Sequence, residues 1–327
     1  MYVVEDRINR PQYNLALEEH LCNMAAAEGS SFFMLWQNEP SIIVGRFQNT
    51  LEEINTAFVE RNGIHVVRRN SGGGAVYHDL GNINYSFVMP DSVGDFDFAL
   101  FTKPIVAALA DLGVHTEHSG RNDLAIDGKK FSGGAQFRRR GIVLHHGTLL
   151  YDSDLDVLSQ ALKVSEDKFQ SKAVKSVRSR VTNIAPYLSS PLEVADFIDA
   201  LQKRIEHLKP RTLERADFDE VERLAAEKYS SWEWNYGSSP RFTERKKKRF
   251  AWGGVEAFID VADGILKDCS FRGDFFGNGD YAPLLARIAG VPYTKEELNR
   301  SLEGFETKGI FAGSQTEDLI ALLSPEI

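Results

Sequence analysis

The chain has 327 residues, room for one large domain or two, and its 43% hydrophobic content with 21 Phe and 10 Tyr can fill a packed core. A formal net charge of -9, from 38 Lys+Arg against 47 Asp+Glu, speaks against a non-specific binder of nucleic acid or anionic membrane. Cys22 and Cys269 form no CxxC, so the chain reads as a cytoplasmic protein with reduced thiols, without a disulfide framework or zinc site. Residues 1–10 hold no apolar segment of a signal peptide, and no run approaches the roughly 18 apolar residues of a membrane span.

In chain order, Pro11 can open a helix that runs to about residue 27, with Leu17, Leu21 and Met24 on one face. Residues 32–36 and 41–44 read as short strands parted by a turn at 38–40. Ile83, Tyr85 and Phe87 alternate with Asn84 and Ser86, the period of a half-buried strand. Phe98, Phe101, Ile105, Leu109 and Leu112 keep helical spacing, Pro104 marks a kink or a later start, and Gly113 suits the helix end. Residues 125–137 and 142–151 read as two strands joined by an Arg/Gly turn. Ser190-Pro191-Leu192-Glu193 has the form of a capping box before a helix that buries Val194, Phe197, Leu201, Ile205 and Leu208, and another helix is predicted over 217–229.

The composition then shifts. Residues 235–249 combine Gly, Ser, Pro and a run of bases and read as a linker. Beyond it Val255, Ala257, Ile259 and Val261 alternate, Asp263-Gly264 marks a hairpin, and short helices are predicted near 283–289, 295–302 and 316–323. The expected class is α+β: a large domain, 1–240, with a mixed or antiparallel sheet flanked by helices, and a small C-terminal α+β domain, 241–327.

Four stretches could carry chemistry. RRNSGGGAVYHD at 68–79 sets two arginines before three glycines, whose missing Cβ atoms let backbone N–H groups approach an anion. A bare glycine run is otherwise an ordinary turn, and this one is neither GxGxxG nor a Walker A loop. GRNDL at 120–124 precedes Lys129 and Lys130, which must face opposite ways on a strand, so that one can enter a cavity. Asp123 could hold Mg2+, which takes one or two carboxylates plus phosphate oxygens. HHGTLL at 145–150 places neighbouring histidines on opposite faces, one packed and one exposed. SVRSRVTN at 176–183 alternates bases with small hydroxyls, a pattern suited to phosphate contacts or to a solvated edge.

In this order the four stretches, with GRFQN at 45–49 and GDFF at 273–276, resemble the lipoate–protein ligase family, a branch of the biotin/lipoate ligase fold. The resemblance spans nearly the whole chain. It implies activation of lipoate by ATP and Mg2+ to lipoyl-AMP, then transfer to a lysine of a lipoyl-domain carrier: an E2 subunit of a 2-oxoacid dehydrogenase or the glycine-cleavage H protein. It makes Lys130 the essential lysine, touching lipoate and nucleotide. It assigns the nucleotide to Arg69, Gly74, Ala75, Val76, Tyr77, Asn122, Asp123 and Arg178, with Asp123 as the Mg2+ ligand. It assigns lipoate to Ser71, Gly72, Gly73, His78 and His146, with an apolar slot of Trp36, Val44 and Val76. It further implies a monomer whose small domain moves about the 235–249 linker as the adenylate forms.

The main alternative is an ATP-independent lipoyl or octanoyl transferase on the same fold, which carries its acyl group on a cysteine. Neither Cys22 nor Cys269 falls near Lys130, His146 or the glycine run in sequence. A biotin ligase is disfavoured because no helix-turn-helix precedes the 68–79 motif.

Overall fold

The computed structural model describes residues 1–91, 97–162, 180–205, 207–236, 243–262 and 264–325. The chain opens with a short strand, β1 (Tyr2–Val3), and a long helix, α1 (Pro11–Glu28). Proline suits the first helical position because its missing N–H would have no partner there. Gly29 ends the helix with φ 67°, a left-handed turn that lets its N–H donate to Ala25 O.

Strands β2 (Phe32–Trp36), β3 (Ser41–Val44), β4 (His65–Arg68), β5 (Val76–His78), β6 (Asn82–Pro90), β7 (Glu117–Ser119), β8 (Asp123–Ile126), β9 (Lys129–Arg139), β10 (Ile142–Leu150) and β11 (Lys209–Pro210) build two sheets. The larger runs β11-β1-β2-β6-β10-β9-β8-β7; β1 is parallel to both neighbours and the remaining pairs are antiparallel. The smaller, β4-β3-β5, is mixed. One face of the large sheet packs on the helices Phe98–Asp111 and Val194–Lys203, through Phe101, Ile105, Phe197 and Leu201. The other packs on α1 and the helix Arg215–Leu224, through Leu17, Leu21 and Val221. The α+β expectation is met. Among the described residues, no helix is long and apolar enough to cross a membrane.

A third sheet, β12 (Glu244–Phe250), β13 (Gly253–Ala262) and β14 (Ile265–Gly273), is antiparallel and starts a small C-terminal unit. The helices Ala282–Ile288, Lys295–Ser301 and Thr316–Leu323 cover it, around Phe271, Phe275 and Phe311. Phe47, from the large unit, enters this core and stacks on Phe275 with ring centroids 4.7 Å apart.

Several local expectations are corrected. The basic run at 245–249 is no linker: it forms β12, paired with β13. Asn235 is buried, with its amide carbonyl accepting from Arg68 N–H at 2.9 Å, while 237–242 lie outside the described residues. Residues 125–137 are not one strand. Asp127 (φ 51°) and Gly128 (φ 72°) turn the chain between β8 and β9, because Asp and Gly tolerate left-handed backbone. Ser190 caps nothing, since the following helix begins at Val194 without a side-chain cap. Pro104 lies inside a helix that starts at Phe98, capped by Asp97. Strand β6 is buried on both faces, because Asn82 and Asn84 pair with each other and Ser86 donates to Glu18 of α1.

Phe47→Ala should remove the ring that joins the two cores and cost about 3 kcal/mol or more, as buried Phe truncations do. Chemical denaturation followed by tryptophan fluorescence measures this. Wild-type stability would show that the ring only rests against the C-terminal unit.

Candidate active site

Strands β4 and β5 lie on opposite edges of β3, so the glycine-rich connection between them must cross the end of β3 at close quarters. A Cβ on Gly45 would stand 2.0 Å from Gly73 O, and Gly73 itself has φ 91°. Arg69 shapes the crossing from within. It donates through Nε to Ser71 Oγ (2.9 Å), through Nη1 to Ile43 O (3.0 Å), and through Nη2 to Gly72 O (2.7 Å) and Gly74 O (2.8 Å). Burial lowers its pKa to about 10, with the Glu18 charge opposing, so it stays a cation at neutral pH. Arg68, one residue earlier, points the other way and binds Gly45 O and Gln48 O, each at 2.8 Å.

Behind the loop runs a buried polar chain that ends on Glu18, a carboxylate on the inner face of α1. Ser86 Oγ donates to Glu18 Oε1 (2.6 Å) and accepts from Trp36 Nε1 (2.8 Å). His146 Nδ1 lies 2.8 Å from Glu18 Oε1 and His146 Nε2 lies 2.6 Å from Ser71 Oγ. A carboxylate can only accept, so His146 donates from Nδ1 to Glu18, while its Nε2 meets Ser71 Oγ. His145, its neighbour, faces away and stacks on Phe101 at 4.8 Å. Both histidines are buried, which corrects the expectation of one exposed ring.

Lys130 stands on β9 beside a bulge: Leu124 pairs with Ser132 but Ala125 pairs with Lys130, leaving Phe131 over. Its ammonium meets Asp123 Oδ1 at 2.8 Å and lies above Gly133, where a Cβ would come 2.8 Å from Nζ. Its carbonyl accepts from Thr182 N–H (2.9 Å), so the end of the 176–183 segment runs alongside. Asn122 Nδ2 donates to Gly134 O (2.8 Å).

These elements surround a cavity of about 220 Å³. Leu15, Trp36, Ile43, Val76 and Phe276 supply apolar lining; Arg69, His78, Asn122, Lys130 and His146 supply polar lining. Such a mixture suits a small ligand with an apolar body and an anionic head. His78 Nδ1 accepts from Asn38 Nδ2 at 3.0 Å, which leaves the ring proton on Nε2. Burial, then the charges of Arg69 and His146, lower His78 to about 3. It is a neutral donor at physiological pH.

Comparison with known proteins matches residues 10–206 to the lipoyl protein ligase A/B catalytic domain and residues 239–323 to the bacterial lipoate protein ligase C-terminus. The lipoate-protein ligase LplJ of Bacillus subtilis is 41% identical over 99% of each chain. The chain belongs to the lipoate–protein ligase family. Among solved structures, P. falciparum LipL1 in complex with lipoate shares the fold at 22% identity, with TM-score 0.79, over 98% of this chain and 97% of that one. A bi-partite lipoate protein ligase of Thermoplasma acidophilum, studied with its E2 lipoyl domain, is 30% identical over 74% of this chain and 98% of its own, with TM-score 0.64. A lipoate-protein ligase A bound with ATP is 27% identical over 72% of this chain and 98% of its own, with TM-score 0.61.

The ligase motifs converge unevenly on the cavity. Arg69, Gly73, Gly74, Ala75, Val76, His78, Asn122, Lys130 and His146 line it. Ser71 stands behind the wall, fully buried, and Gly72 lies under the C-terminal unit, where a Cβ would come 2.2 Å from Phe275 O. Asp123 reaches the cavity through its ion pair with Lys130. The Tyr77 side chain points away into a cluster with Ile42 and Val44, since neighbours on a strand alternate between Val76 and His78. For the same reason Ile43, not Val44, joins Trp36 and Val76 in the apolar lining. Arg178 lies outside the described residues. Sequence reasoning missed Leu15, Asn84, Phe276 and the supporting Glu18; the signal for Glu18 was a charge on the face of α1 that carries Leu15 and Leu21. Cys22 is partly buried outside the cavity and Cys269 sits in the C-terminal core, and burial pushes both thiols up. Among the described residues, no cysteine lines the cavity.

The His78 shift has a defined pH sign. The unfolded chain takes a proton near 6.5, whereas the folded ring resists it down to about 3, so stability is full above 6.5 and falls as pH drops through that window. From about pH 7 to about pH 5 this group should remove about 2 kcal/mol. In His78→Gln that part of the acid loss should vanish. Urea denaturation of both proteins at the two pH values reads it, and parallel losses would refute the shift.

Proposed function

We propose that this ligase activates lipoate with ATP and transfers the lipoyl group to a lysine of lipoyl-domain carriers. Lys130 carries the reading: a half-exposed ammonium at the wall of a small amphipathic cavity, beside Asp123 and the Asn122–Gly134 pair. The ATP-bound and E2-associated relatives support nucleotide and carrier class.

In the first step a lipoate carboxylate oxygen attacks the α-phosphorus of ATP and pyrophosphate leaves. Both partners are anions, and their approach needs a cation that can serve each. Lysine does so as a point charge on a flexible stem. Lys130 exchanges Asp123 for the reacting oxygens and stabilises the charge that builds between them. The alkyl chain and dithiolane occupy the lining of Leu15, Trp36, Ile43 and Val76. His78 donates from Nε2, and backbone N–H groups of the glycine loop face the nucleotide. Among the described residues there is no cluster of three or more His, Cys, Asp or Glu for a metal. Asp123 would hold a Mg2+ ion carried on the nucleotide phosphates, which would supply further positive charge there. In the second step the carrier's lysine amine attacks the acyl carbon of the mixed anhydride and AMP leaves. Carriers are E2 lipoyl domains and the glycine-cleavage H protein. The catalytic domain spans 1–240 and the accessory domain 241–327, and the second moves relative to the first as the adenylate forms.

The first test supplies ATP, Mg2+, lipoate and an E2 lipoyl domain, then measures pyrophosphate and the carrier's intact mass. Lipoate-dependent pyrophosphate and one added lipoyl group are expected; acyl transfer without ATP turnover would replace the ligase with a transferase. In Lys130→Ala both half-reactions should fall about a hundredfold or more. Stability should stay within about 1 kcal/mol, because the lost ion pair is half-exposed. Wild-type rates in that variant would remove Lys130 from the chemistry.

A further inference from the structure

The residues that line the cavity differ in their access to solvent. Lys130 has a half-exposed side chain, whereas Trp36, His78 and Asn84 are each at most 5% exposed. An acid whose carboxylate meets Lys130 therefore lodges its far end among the buried three. There the Trp36 and His78 rings meet at 74°, with centroids 6.1 Å apart.

A chain of buried amides sets the state of that imidazole. Asn14 Nδ2 faces three oxygens, Ile8 O (2.8 Å), Gln37 O (2.9 Å) and Asn38 Oδ1 (2.9 Å), so it can only donate there. Asn38 must then turn its own Nδ2 to His78 Nδ1, at 3.0 Å, with Asn84 Nδ2 further off at 3.5 Å. Asn14 and Asn38 are both wholly buried. Facing only donors, Nδ1 accepts, and the single proton of the neutral ring goes to Nε2. Among the described residues Nε2 has no hydrogen-bond partner. A buried donor without an acceptor costs stability unless a ligand brings the acceptor with it.

We propose that His78 recognises the sulfur of the substrate, its Nε2–H donating to the dithiolane, and that Asn14 and Asn38 are positioning residues that keep the proton on Nε2. The inference rests on the lipoate reading above and adds to it how lipoate is told from a plain fatty acid of the same chain length. The apolar lining of Leu15, Ile43 and Val76 serves both acids alike, so it supplies affinity without selectivity. A disulfide sulfur is a weak acceptor, whereas the methylene and methyl groups of octanoate offer none. Octanoate therefore closes Nε2–H off from water and gives it nothing in exchange, a penalty that lipoate avoids. With the proton on Nδ1 the ring would turn a lone pair to the sulfur instead, and the preference would be lost.

The test compares lipoate, octanoate and the all-carbon ring analogue of lipoate, which has CH2 in place of each sulfur. With ATP, Mg2+ and an E2 lipoyl domain, pyrophosphate release gives kcat/KM for each acid. Wild type should take lipoate about fivefold better than either sulfur-free acid, the size that a weak acceptor allows. His78→Phe keeps an aromatic ring without the N–H and should bring lipoate and its ring analogue within about twofold of each other. Asn38→Leu should lose part of the preference, and 15N spectra of labelled imidazoles should place the His78 proton on Nε2 in wild type but on both nitrogens in turn in Asn38→Leu. Equal kcat/KM for lipoate and its ring analogue in wild type overturns the proposal without any variant. So does a preference that survives in a folded His78→Phe, or a wild-type spectrum with the proton on Nδ1. Pyrophosphate from none of the three acids would remove the ligase reading and this proposal with it, whereas pyrophosphate from all three at one kcat/KM removes the proposal alone.

Discussion

The site depends on one buried carboxylate. Glu18 lies on α1 with its oxygens out of water, where an unpaired charge would cost several kcal/mol. It is held by hydrogen bonds from Ser86 and His146 and by the Arg69 cation within range. Each partner is fixed in turn: Ser86 by Trp36, His146 by Ser71, and Arg69 by the carbonyls of the loop it folds. Because Glu18 can only accept, Ser86 Oγ and His146 Nδ1 must both donate to it. Without an acceptor at 18, Ser86 Oγ and His146 Nδ1 would lose their partner, and with it the anchor of a ring that lines the cavity.

This spine works because the topology brings it under the glycine loop. Strands β4 and β5 flank β3, and the loop between them has no route except across the end of β3. Side chains at 45, 72 or 73 would collide with neighbouring backbone or with the Phe276 ring, so the glycines make room on two sides at once. Below, the loop rests on Arg69; above, it meets Phe275 and Phe276. The same crowding thus links the catalytic sheet to the C-terminal unit, and Phe47 completes the link by entering the other core.

What the sequence disclosed depended on the range of the interaction involved. Helix α1, β2, β3 and the helix Thr316–Leu323 were legible, since proline and glycine punctuation and apolar periodicity are local. The Asp127-Gly128 turn was overlooked within an apolar stretch, although it is also a local signal. Strand β6 misled for a physical reason: Asn84 and Ser86 look solvent-facing until Trp36 O on the next strand and a carboxylate from a distant helix accept from them. Alternation said that Ile43 and Val44 part company, as do Val76 and Tyr77, but not which of each pair turns inward. That choice belongs to the sheets stacked around them. Phe276 was beyond reach, because its place depends on how a unit more than a hundred residues downstream docks.

The two cations of the cavity wall are not equivalent. Arg69 is buried and its guanidinium fork is committed to Ser71 and three carbonyls, so an arriving anion would have to unfold the loop to claim it. Among the described residues Lys130 has one carboxylate partner, and its stem is half-exposed and flexible. Exchanging Asp123 for another oxygen needs only rotation about its side-chain bonds. Geometry therefore assigns structure to the arginine and exchange to the lysine, although both lie in the same motif-rich region and carry the same charge. An Arg at 130 would keep the charge but bind Asp123 through a two-pronged fork, a contact harder to trade away. A Lys at 69 could not reach four acceptors in three directions, and the glycine loop would lose the framework that holds its shape.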